Sequence, residues 1–372
     1  MASRLKELTI HGFRSIENLE AFELRDRNVL IGANGAGKSN FVDFFRMLRA
    51  MAEEAFQKFV NQYGGGDGFF FLGPQHTRQI SAHLEFGKNI YEFDLRATAG
   101  GGLQISREGV LYTGGKGLDK LRLIGTGSLE SGLKARRDEP ASTREGPGVP
   151  SYVYDAISNW TVYHFHDTSM LSPMRRAQSV RDKQHLRPEA SNLAAFLLHL
   201  QEDFPDSYAL IRDTVRLIAP FFDDFLLEPE EKGGEEKVRL EWHQKGSDFP
   251  FQPIHLSDGT IRFICLTVAL LQPRLPATIV IDEPELGLHP YAINLLADLI
   301  HSASEQTQVI VSTQSPTLLD HFSPDDVVVV NRRDGCSTFE RLEPDKLAEW
   351  LEEYSVGELW QKNVVQGGPS HE

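Results

Sequence analysis

Eight residues near the N-terminus constrain the fold more than any other feature of this chain. The segment from Gly32 to Ser39 reads GANGAGKS and fits the pattern G-x-x-x-x-G-K-[ST] at every required position. An apolar segment, residues 28–31, precedes it, and apolar residues at helical spacing follow from residue 40 to residue 60. This order predicts a strand, a glycine loop and a helix whose N-terminus faces the loop.

The glycine loop has the composition of a phosphate-binding loop. Glycines let backbone N–H groups wrap around a phosphate chain, and the helix adds its positive N-terminal end. We expect Lys38 to reach the β- and γ-phosphates of a nucleotide and Ser39 to ligate Mg²⁺. Further nucleotide contacts are expected from Asn34, Gly35, Gly37 and Asn40.

The second half of the chain alternates helical and strand patterns, which is typical of a parallel sheet in an α/β protein. The predicted elements are helices over residues 259–271, 290–304 and 316–321 and strands over residues 277–281, 308–312 and 326–330. Asp282 and Glu283 directly follow the first of these strands. Asp282 is expected to hold Mg²⁺ through water and Glu283 to orient or deprotonate an attacking water. The alternative interpretation is a plain boundary between a strand and a turn.

The segment LSDGT, from Leu256 to Thr260, begins a predicted helix. Ser257 suits an N-cap, so the segment is either an ordinary helix start or a helix N-terminus that binds a second phosphate chain. It resembles the ABC signature LSGGQ, at a distance from Asp282 that suits that family. The chain is therefore similar to ABC-type ATPase heads of the RecF/SMC group. It most resembles the stand-alone ATPases related to RecF and to the ATPase half of the overcoming-lysogenization-defect (OLD) nucleases.

Other stretches support the resemblance. LTIHGFRSI (residues 8–16) is similar to the opening of these heads, DEPELGLHP (residues 282–290) to their Walker B and D-loop, and VIVSTQSP (residues 309–316) to their switch segment. The likeness implies that Glu283 and Gln314 are catalytic residues. It also puts Arg14 near the nucleotide, unless Arg14 is a surface arginine at a strand end. His166 and Asp167 are candidates for the Q-loop position, or His166 is an ordinary histidine at a strand end.

The resemblance implies an α/β fold, an ABC-type P-loop ATPase head in which helices flank a mixed or parallel sheet, with an inserted helical and β subdomain. The expected divisions are residues 1–60, the N-terminal part of the head; residues 61–254, an inserted lobe with a β-rich part (76–113), a mobile basic loop (114–150) and a helical part (190–219); residues 255–342, the C-terminal part of the head; and residues 343–372, an acidic tail.

The family likeness also implies a homodimer with ATP and Mg²⁺ as cofactors. In such heads the P-loop and the signature of one chain lie too far apart to contact the same ATP. Two heads therefore pair head-to-tail around two ATP molecules. Each ATP is expected between Lys38 of one head and Ser257 and Gly259 of the other.

Two residues depart from the family pattern. The switch position usually carries histidine, and here it is Gln314. Glutamine forms hydrogen bonds but does not take up a proton as imidazole does, so we expect slow hydrolysis. The signature carries Asp258 where glycine is usual. Because a carboxylate repels a γ-phosphate, we expect the Asp258 side chain to point away from the nucleotide.

The charge balance argues against a protein that is coated with nucleic acid. The chain has 38 Lys and Arg against 53 Asp and Glu, a formal net charge of −15. Residues 105–187 are the exception, with thirteen Lys and Arg against nine Asp and Glu. The densest cations are Arg136, Arg137, Arg175, Arg176, Arg181, Lys183 and Arg187. This insertion is either a DNA-binding surface or a solvated loop with ordinary salt bridges.

Two cysteines far apart exclude a disulfide framework. The longest apolar run, residues 263–271, is about half of what a membrane helix needs, and the N-terminus lacks the apolar stretch of a signal peptide. We therefore expect a cytoplasmic protein without a membrane partner. The stretch after Gln314 is too short for an OLD-type nuclease domain, so any nuclease or toxin is expected to be a separate chain.

These observations predict an ATP-hydrolysing dimeric head that acts on DNA or controls a partner nuclease or toxin, in DNA repair or phage defence. One alternative is a nucleotide-gated scaffold with weak or absent hydrolysis, which Gln314 favours. The other is the ATPase subunit of a membrane transporter. A clear Q-loop, a switch histidine and an LSGGQ signature would favour the transporter, and this chain departs from each of them.

Overall fold

The computed structural model describes residues 4–114, 120–138 and 148–365. Two six-stranded sheets, one largely parallel and one antiparallel, form the framework. Helices pack against both sheets, and each sheet contributes to a large apolar core. The α/β class predicted from the alternation of helices and strands is confirmed.

The largely parallel sheet carries the glycine loop. Its strands are Arg27–Ile31 (β3), Trp160–Tyr163 (β8), Thr278–Asp282 (β14), Gln308–Thr313 (β15), Val327–Arg333 (β16) and Cys336–Arg341 (β17). Their order across the sheet is β17-β16-β3-β15-β14-β8, and only β17 runs antiparallel to its neighbour. Every residue of β14 and β15 is buried, as expected for strands that are covered on both faces.

The antiparallel sheet lies beside the first helix. Its strands are Glu7–Phe13 (β1), Ile16–Glu23 (β2), Ile80–Phe86 (β4), Asn89–Ala97 (β5), Leu103–Tyr112 (β6) and Arg122–Gly125 (β7). Their order is β2-β1-β4-β5-β6-β7. Every second residue of β4 is buried, so one face of this sheet packs on the core. Phe93 of this face stacks on Phe44, with ring centroids 6.4 Å apart.

Ten helices and five short strands complete the described part of the chain. The short strands are Gln178–Ser179 (β9), Phe222–Leu226 (β10), Glu230–Lys232 (β11), Glu235–Val238 (β12) and Glu241–Gln244 (β13). The helices are Lys38–Ala52 (α1), Phe56–Gln62 (α2), Val149–Ser158 (α3), Leu193–Asp203 (α4), Pro205–Ile218 (α5), Asp258–Leu271 (α6), Pro290–Gln306 (α7), Pro316–Leu319 (α8), Pro344–Leu351 (α9) and Val356–Gln361 (α10). Across 4–114, 120–138 and 148–365, no helix is both long and apolar enough to cross a bilayer.

Strand pairing crosses the boundaries predicted for an inserted lobe over residues 61–254. β4 pairs with β1, and β8 pairs with β14 in the sheet of the glycine loop. Strands of the predicted inserted lobe therefore lie in the same two sheets as strands of the predicted head. An alternating apolar pattern predicts that a strand exists but not which strand it joins, and this limits any division made from sequence. The division into lobes stays a prediction.

Two segments that the sequence predicts to be a loop and an acidic tail contain regular secondary structure. In the predicted loop over residues 114–150, Ser131 and the backbone N–H of Gly132 bond the buried Glu108, and β7 extends the antiparallel sheet. Residues 115–119 and 139–147 of that loop lie outside the described residues. The acidic tail over residues 343–372 contains α9 and α10, and Leu359 of α10 is buried; residues 366–372 are outside the described part.

Candidate nucleotide site

The glycine loop joins β3 to α1 as the sequence predicts. Gly37 stands just before α1 with φ of 116°, a left-handed conformation, and a Cβ atom there would collide with Ser337 Oγ. Ser337 belongs to β17, and its hydroxyl donates to the Ala36 carbonyl at 2.6 Å. The backbone N–H of Ser337 also donates to the carbonyl of Ser15 at 2.6 Å. The loop therefore rests on β17, a strand that is absent from the elements predicted from the sequence.

Lys38 turns inward at the start of α1. Its ammonium donates to the carbonyls of Gly32 at 2.6 Å and Ala33 at 3.2 Å. Burial lowers the pKa of Lys38, and nearby carboxylates oppose this shift; they belong to Glu283, Asp282 and Glu285. The lysine and the acidic cluster therefore lie close together, although about 245 residues separate them in the sequence.

The other predicted residues of the loop have different surroundings. Asn34, Gly35 and Ser39 are exposed, so their polar groups are accessible to a ligand. Asn40 is half-buried, and its amide donates to Ser15 Oγ at 2.6 Å. Asn40 therefore also ties the start of α1 to Ser15.

Asp282 is the last residue of β14 and lies opposite Ser312 of β15. Its Oδ1 is buried and has no hydrogen-bond partner among the described residues, and the same is true of Ser312 Oγ. Glu283 follows with φ of 45°, and its backbone N–H donates to the Ser312 carbonyl at 2.7 Å. This turn presents the two carboxylates at the same edge of the sheet.

Gln314 follows β15 and meets Glu283. Its side-chain amide donates to Glu283 Oε1. Glu285 holds the switch segment, since Oε1 accepts from the Gln314 backbone N–H at 2.9 Å and from Thr313 Oγ1 at 2.7 Å. Burial raises the pKa of Glu285. Sequence reasoning quoted Glu285 within the DEPELGLHP motif but gave it no role; its spacing of two residues from Glu283 was the available signal.

Arg14 and His166 border the site. Arg14 pairs with Asp43 at 2.5 Å, and its guanidinium lies 4.8 Å from the ring centroid of Tyr63. It also lies 3.4 Å from Asn40 Oδ1, so it sits beside α1 and is engaged by protein groups. His166 Nε2 lies 2.9 Å from the Asp282 carbonyl and donates to it in the tautomer that protonates Nε2.

The signature segment begins α6 at a distance from the glycine loop across the sheet. Ser257 is exposed and caps α6, where its Oγ accepts from the Thr260 backbone N–H at 3.1 Å. Asp258 is exposed, and its carboxylate pairs with the buried Arg175 at 3.0 Å. A Cβ atom on Gly259 would lie 2.5 Å from the Gly287 carbonyl, so this glycine permits close packing on the D-loop.

Buried Arg262 fixes the start of α6. Its guanidinium donates to the carbonyls of Phe165 at 2.9 Å, His166 at 3.2 Å and Leu286. The signature helix is thereby tied both to the segment that follows β8 and to the D-loop. No sequence pattern singled out this arginine, because its three acceptors are backbone atoms of distant segments.

The predicted basic insertion is largely engaged by acidic neighbours. Arg187 pairs with Asp182 at 2.9 Å, and Lys183 pairs with Glu202 at 3.2 Å. Arg175, the pair of Asp258, is buried. Among the described residues of this range, several of the counted cations are therefore paired or buried rather than free to bind phosphates.

Comparisons with known proteins identify a family and a fold for this chain. A family model described as "AAA domain, putative AbiEii toxin, Type IV TA system" matches residues 27–320. Among curated proteins, none matches this sequence.

Solved structures of SMC heads resemble the whole chain. An SMC head bound to the C-terminal winged-helix domain of ScpA superposes with a TM-score of 0.55 at 16% identity, covering 93% of this chain and 99% of that one. An SMC head with an extended coiled coil, bound to the C-terminal domain of ScpA and derived from Pyrococcus furiosus, gives a TM-score of 0.53 at 16% identity, covering 94% and 99%. At this identity the likeness concerns the fold alone.

The fold predicted from the motifs is confirmed as the ABC-type P-loop fold of an SMC ATPase head. The narrower likeness to the ATPase half of OLD nucleases stays a prediction. The chain belongs to the family of AAA domains described as putative AbiEii toxins of type IV toxin–antitoxin systems.

Proposed function

We propose that this chain is an ATP-binding and ATP-hydrolysing head that works as a pair of copies. One observation carries the proposal: Lys38, Glu283 and Gln314 come from three distant segments that follow β3, β14 and β15 at the carboxyl edge of one largely parallel sheet, and Gln314 bonds Glu283. Ligands of open α/β sheets bind at this edge. The backbone amides from Asn34 to Lys38 and the N-terminus of α1 suit a triphosphate, with Lys38 at its β- and γ-phosphates.

Ser39 and Asp282 would hold Mg²⁺. The fit rests on Asp282 Oδ1, a buried carboxylate oxygen that has no hydrogen-bond partner in the described chain. Such an atom costs free energy unless it has a ligand or water, and Mg²⁺ prefers oxygen ligands. When bound, the ion supplies positive charge to the phosphates of ATP.

Glu283 and Gln314 would act on the attacking water. Glu283 is half-buried and close enough to Gln314 for a hydrogen bond, so the amide orients the carboxylate that accepts the proton of water. Gln314 itself does not carry a proton as a histidine would. We therefore assign orientation to Gln314 and proton transfer to Glu283, and we expect turnover to be slow.

The order of the strands supports the proposed head-to-tail pairing. The P-loop follows β3, whereas Arg262 ties the signature helix to residues 165–166, just after β8. β15 and β14 lie between these strands, so the two ends are roughly 14 Å apart at about 4.8 Å per strand. A second copy in two-fold symmetry would supply Ser257 and the N-terminus of α6 to the ATP held by Lys38.

A partner protein is the coupling that we favour. The family is described by a toxin of toxin–antitoxin systems, and two of the similar SMC heads were solved with a domain of ScpA. The SMC structures support a partner protein that binds the head, and the family description supports a setting in a toxin–antitoxin system; we propose that the partner is a separate nuclease or toxin chain, as in phage defence or DNA repair. DNA contact through residues 105–187 is the less favoured coupling, because Arg187 and Lys183 already have acidic partners.

Phosphate release and gel filtration with ATP test the proposal. The wild-type chain should hydrolyse ATP. Lys38→Ala should lose ATP affinity in calorimetry, because it removes the phosphate-binding ammonium. Glu283→Gln should bind ATP and stay dimeric, because binding survives while the water is no longer activated.

Three outcomes separate the alternatives. Unchanged ATP affinity in Lys38→Ala would overturn the phosphate-loop role, and a Glu283→Gln variant that is monomeric with ATP would overturn the pairing. Dimerisation with ATP but without turnover in the wild-type chain would instead favour a nucleotide-gated scaffold. Stimulation of turnover by duplex DNA, with affinity that falls as salt rises, would favour the DNA coupling.

A further inference from the structure

Met170 and Leu171 are the most exposed large apolar side chains in the described part of the molecule, at 71% and 74%. They lie in the segment that follows β8. The segment is fixed from within, since Asp167 Oδ1 accepts from the Ser169 N–H at 3.0 Å and the Asp167 carbonyl accepts from Ser172 Oγ at 2.7 Å. Two adjacent exposed apolar side chains at a braced turn form a small apolar patch that suits a contact with another protein surface.

This turn belongs to the signature end of the molecule. Arg175 joins the two, because its guanidinium donates to the Thr168 carbonyl at 2.9 Å and pairs with Asp258 at 3.0 Å. We call Asp167, Met170, Leu171 and Asp258 the signature rim. Met170 and Leu171 make it apolar, and its two carboxylates lie near cations of the same chain, Arg176 for Asp167 and Arg175 for Asp258.

A second exposed apolar residue lies beside the P-loop. Leu72 is 62% exposed, adopts φ of 52° and lies against Gly335 in the turn between β16 and β17. Arg332 of β16 is exposed, and its guanidinium donates to the Gly35 carbonyl at 3.2 Å. We call Leu72, Arg332 and Arg333 the P-loop rim. It combines the apolar Leu72 with two arginines, and the exposed Asp334 follows them in the same turn.

The two rims lie at opposite ends of one edge. In the order β16-β3-β15-β14-β8, the P-loop rim is at β16 and the signature rim follows β8. Four strand spacings make roughly 19 Å, so the rims of one chain do not contact each other through neighbouring strands. A two-fold axis near the middle of this edge would bring each rim against the opposite rim of a second copy.

We propose that Met170 and Leu171 of one copy pack against Leu72 of a second copy, while Asp167 and Asp258 face Arg332 and Arg333. This inference rests on the proposed head-to-tail pairing, and it names the protein contacts that accompany ATP in that pairing. The contact would remove apolar surface of both copies from water, and the opposite charges would orient the two copies as they approach. Asp258, which stands where the signature usually has glycine, would thereby contact the partner copy in addition to its own Arg175.

Cysteine cross-linking tests the contact directly. The variant combines Leu72→Cys and Leu171→Cys with Glu283→Gln, which retains ATP, and with Cys336→Ser, which removes a thiol beside Gly335. The remaining Cys265 is buried. ATP should yield covalent dimers joined between positions 72 and 171, as read by mass spectrometry. The matched control pairs Leu72→Cys with Leu123→Cys, an exposed residue on β7, and should yield none.

The failure of this inference differs from the failure of the proposed function. An ATP-dependent dimer in gel filtration without the 72–171 link, or with equal cross-linking in the control, would overturn the rim contact alone. The absence of any ATP-dependent dimer would overturn both.

In the same assay, Met170→Ser with Leu171→Ser should weaken dimerisation about tenfold or more, which corresponds to about 1.4 kcal/mol, while ATP binding to the monomer stays unchanged. Unchanged dimerisation in that variant would also overturn the contact.

Discussion

At the scale of single residues, Glu283 holds its position at a conformational cost. Its φ of 45° lies in the left-handed region, which costs an ordinary residue about 1–2 kcal/mol relative to glycine-like freedom. The conformation persists because the Glu283 N–H bonds the Ser312 carbonyl and the side chain meets Gln314. Strain of this kind is common where a side chain must point in one direction for function.

We predict that Glu283→Gly is more stable than Glu283→Ala by about 1 kcal/mol. Both variants lose the carboxylate and its bond to Gln314, but only glycine adopts the left-handed conformation without a Cβ penalty. Urea denaturation of the two variants measures the difference. Equal midpoints would mean that the backbone at position 283 is not strained, and neither variant should hydrolyse ATP.

At the scale of elements, the position of α6 depends on one buried arginine. Arg262 bonds three carbonyls from two segments, namely Phe165 and His166 after β8 and Leu286 in the D-loop. Burial lowers the pKa of Arg262. Because the Phe165 carbonyl and the guanidinium are buried, water does not replace this bond without a rearrangement.

Arg262→Met should lower the free energy of unfolding by about 3 kcal/mol, because it leaves several carbonyls unpaired. The control is Arg107→Met on the antiparallel sheet. Arg107 pairs with Glu92 at the surface, so its loss should cost about 1 kcal/mol or less. Similar losses in both variants would show that Arg262 is not a special anchor of α6.

At the scale of the whole molecule, the C-terminal segment belongs to the head. Val356 and Leu359 of α10 are buried, and the Gly357 N–H donates to Asp320 Oδ1 at 2.7 Å, directly after α8. α8 begins two residues after Gln314, so the last described helix braces the switch segment from the outside. A solvated acidic tail would make no such contacts.

Leu359→Ala should therefore destabilise the fold by about 2–5 kcal/mol, the usual cost of a cavity in a core. Trp350→Ala on α9 is the control, since Trp350 is 46% exposed and should cost about 1 kcal/mol or less. Thermal unfolding of the two variants compares them. A small effect of Leu359→Ala would mean that α10 detaches without disturbing the core.

The local parts of the candidate site were predictable from the sequence. The P-loop, the strand that ends at Asp282 and the helix that begins after Ser257 each have a pattern within about fifteen residues. Their bounds agree with the predicted ones to within two residues at α6 and β14. The roles expected of Asp282, Glu283 and Gln314 were also inferred from these motifs, because binding and hydrolysis of a triphosphate require a metal ligand and groups that act on water.

The sequence by itself determined the segments around the glycine loop, the strand that ends at Asp282 and the helix that follows Ser257, since hydrophobic periodicity and the glycine loop act over short distances. Only the tertiary structure decided which segments meet. β8 joins the sheet of the P-loop, Ser337 supports Ala36, and Glu285 and Arg262 hold backbone groups from distant segments. The physical reason is that pairing partners and buried backbone acceptors depend on the folded chain as a whole, and neither is encoded by spacing along it.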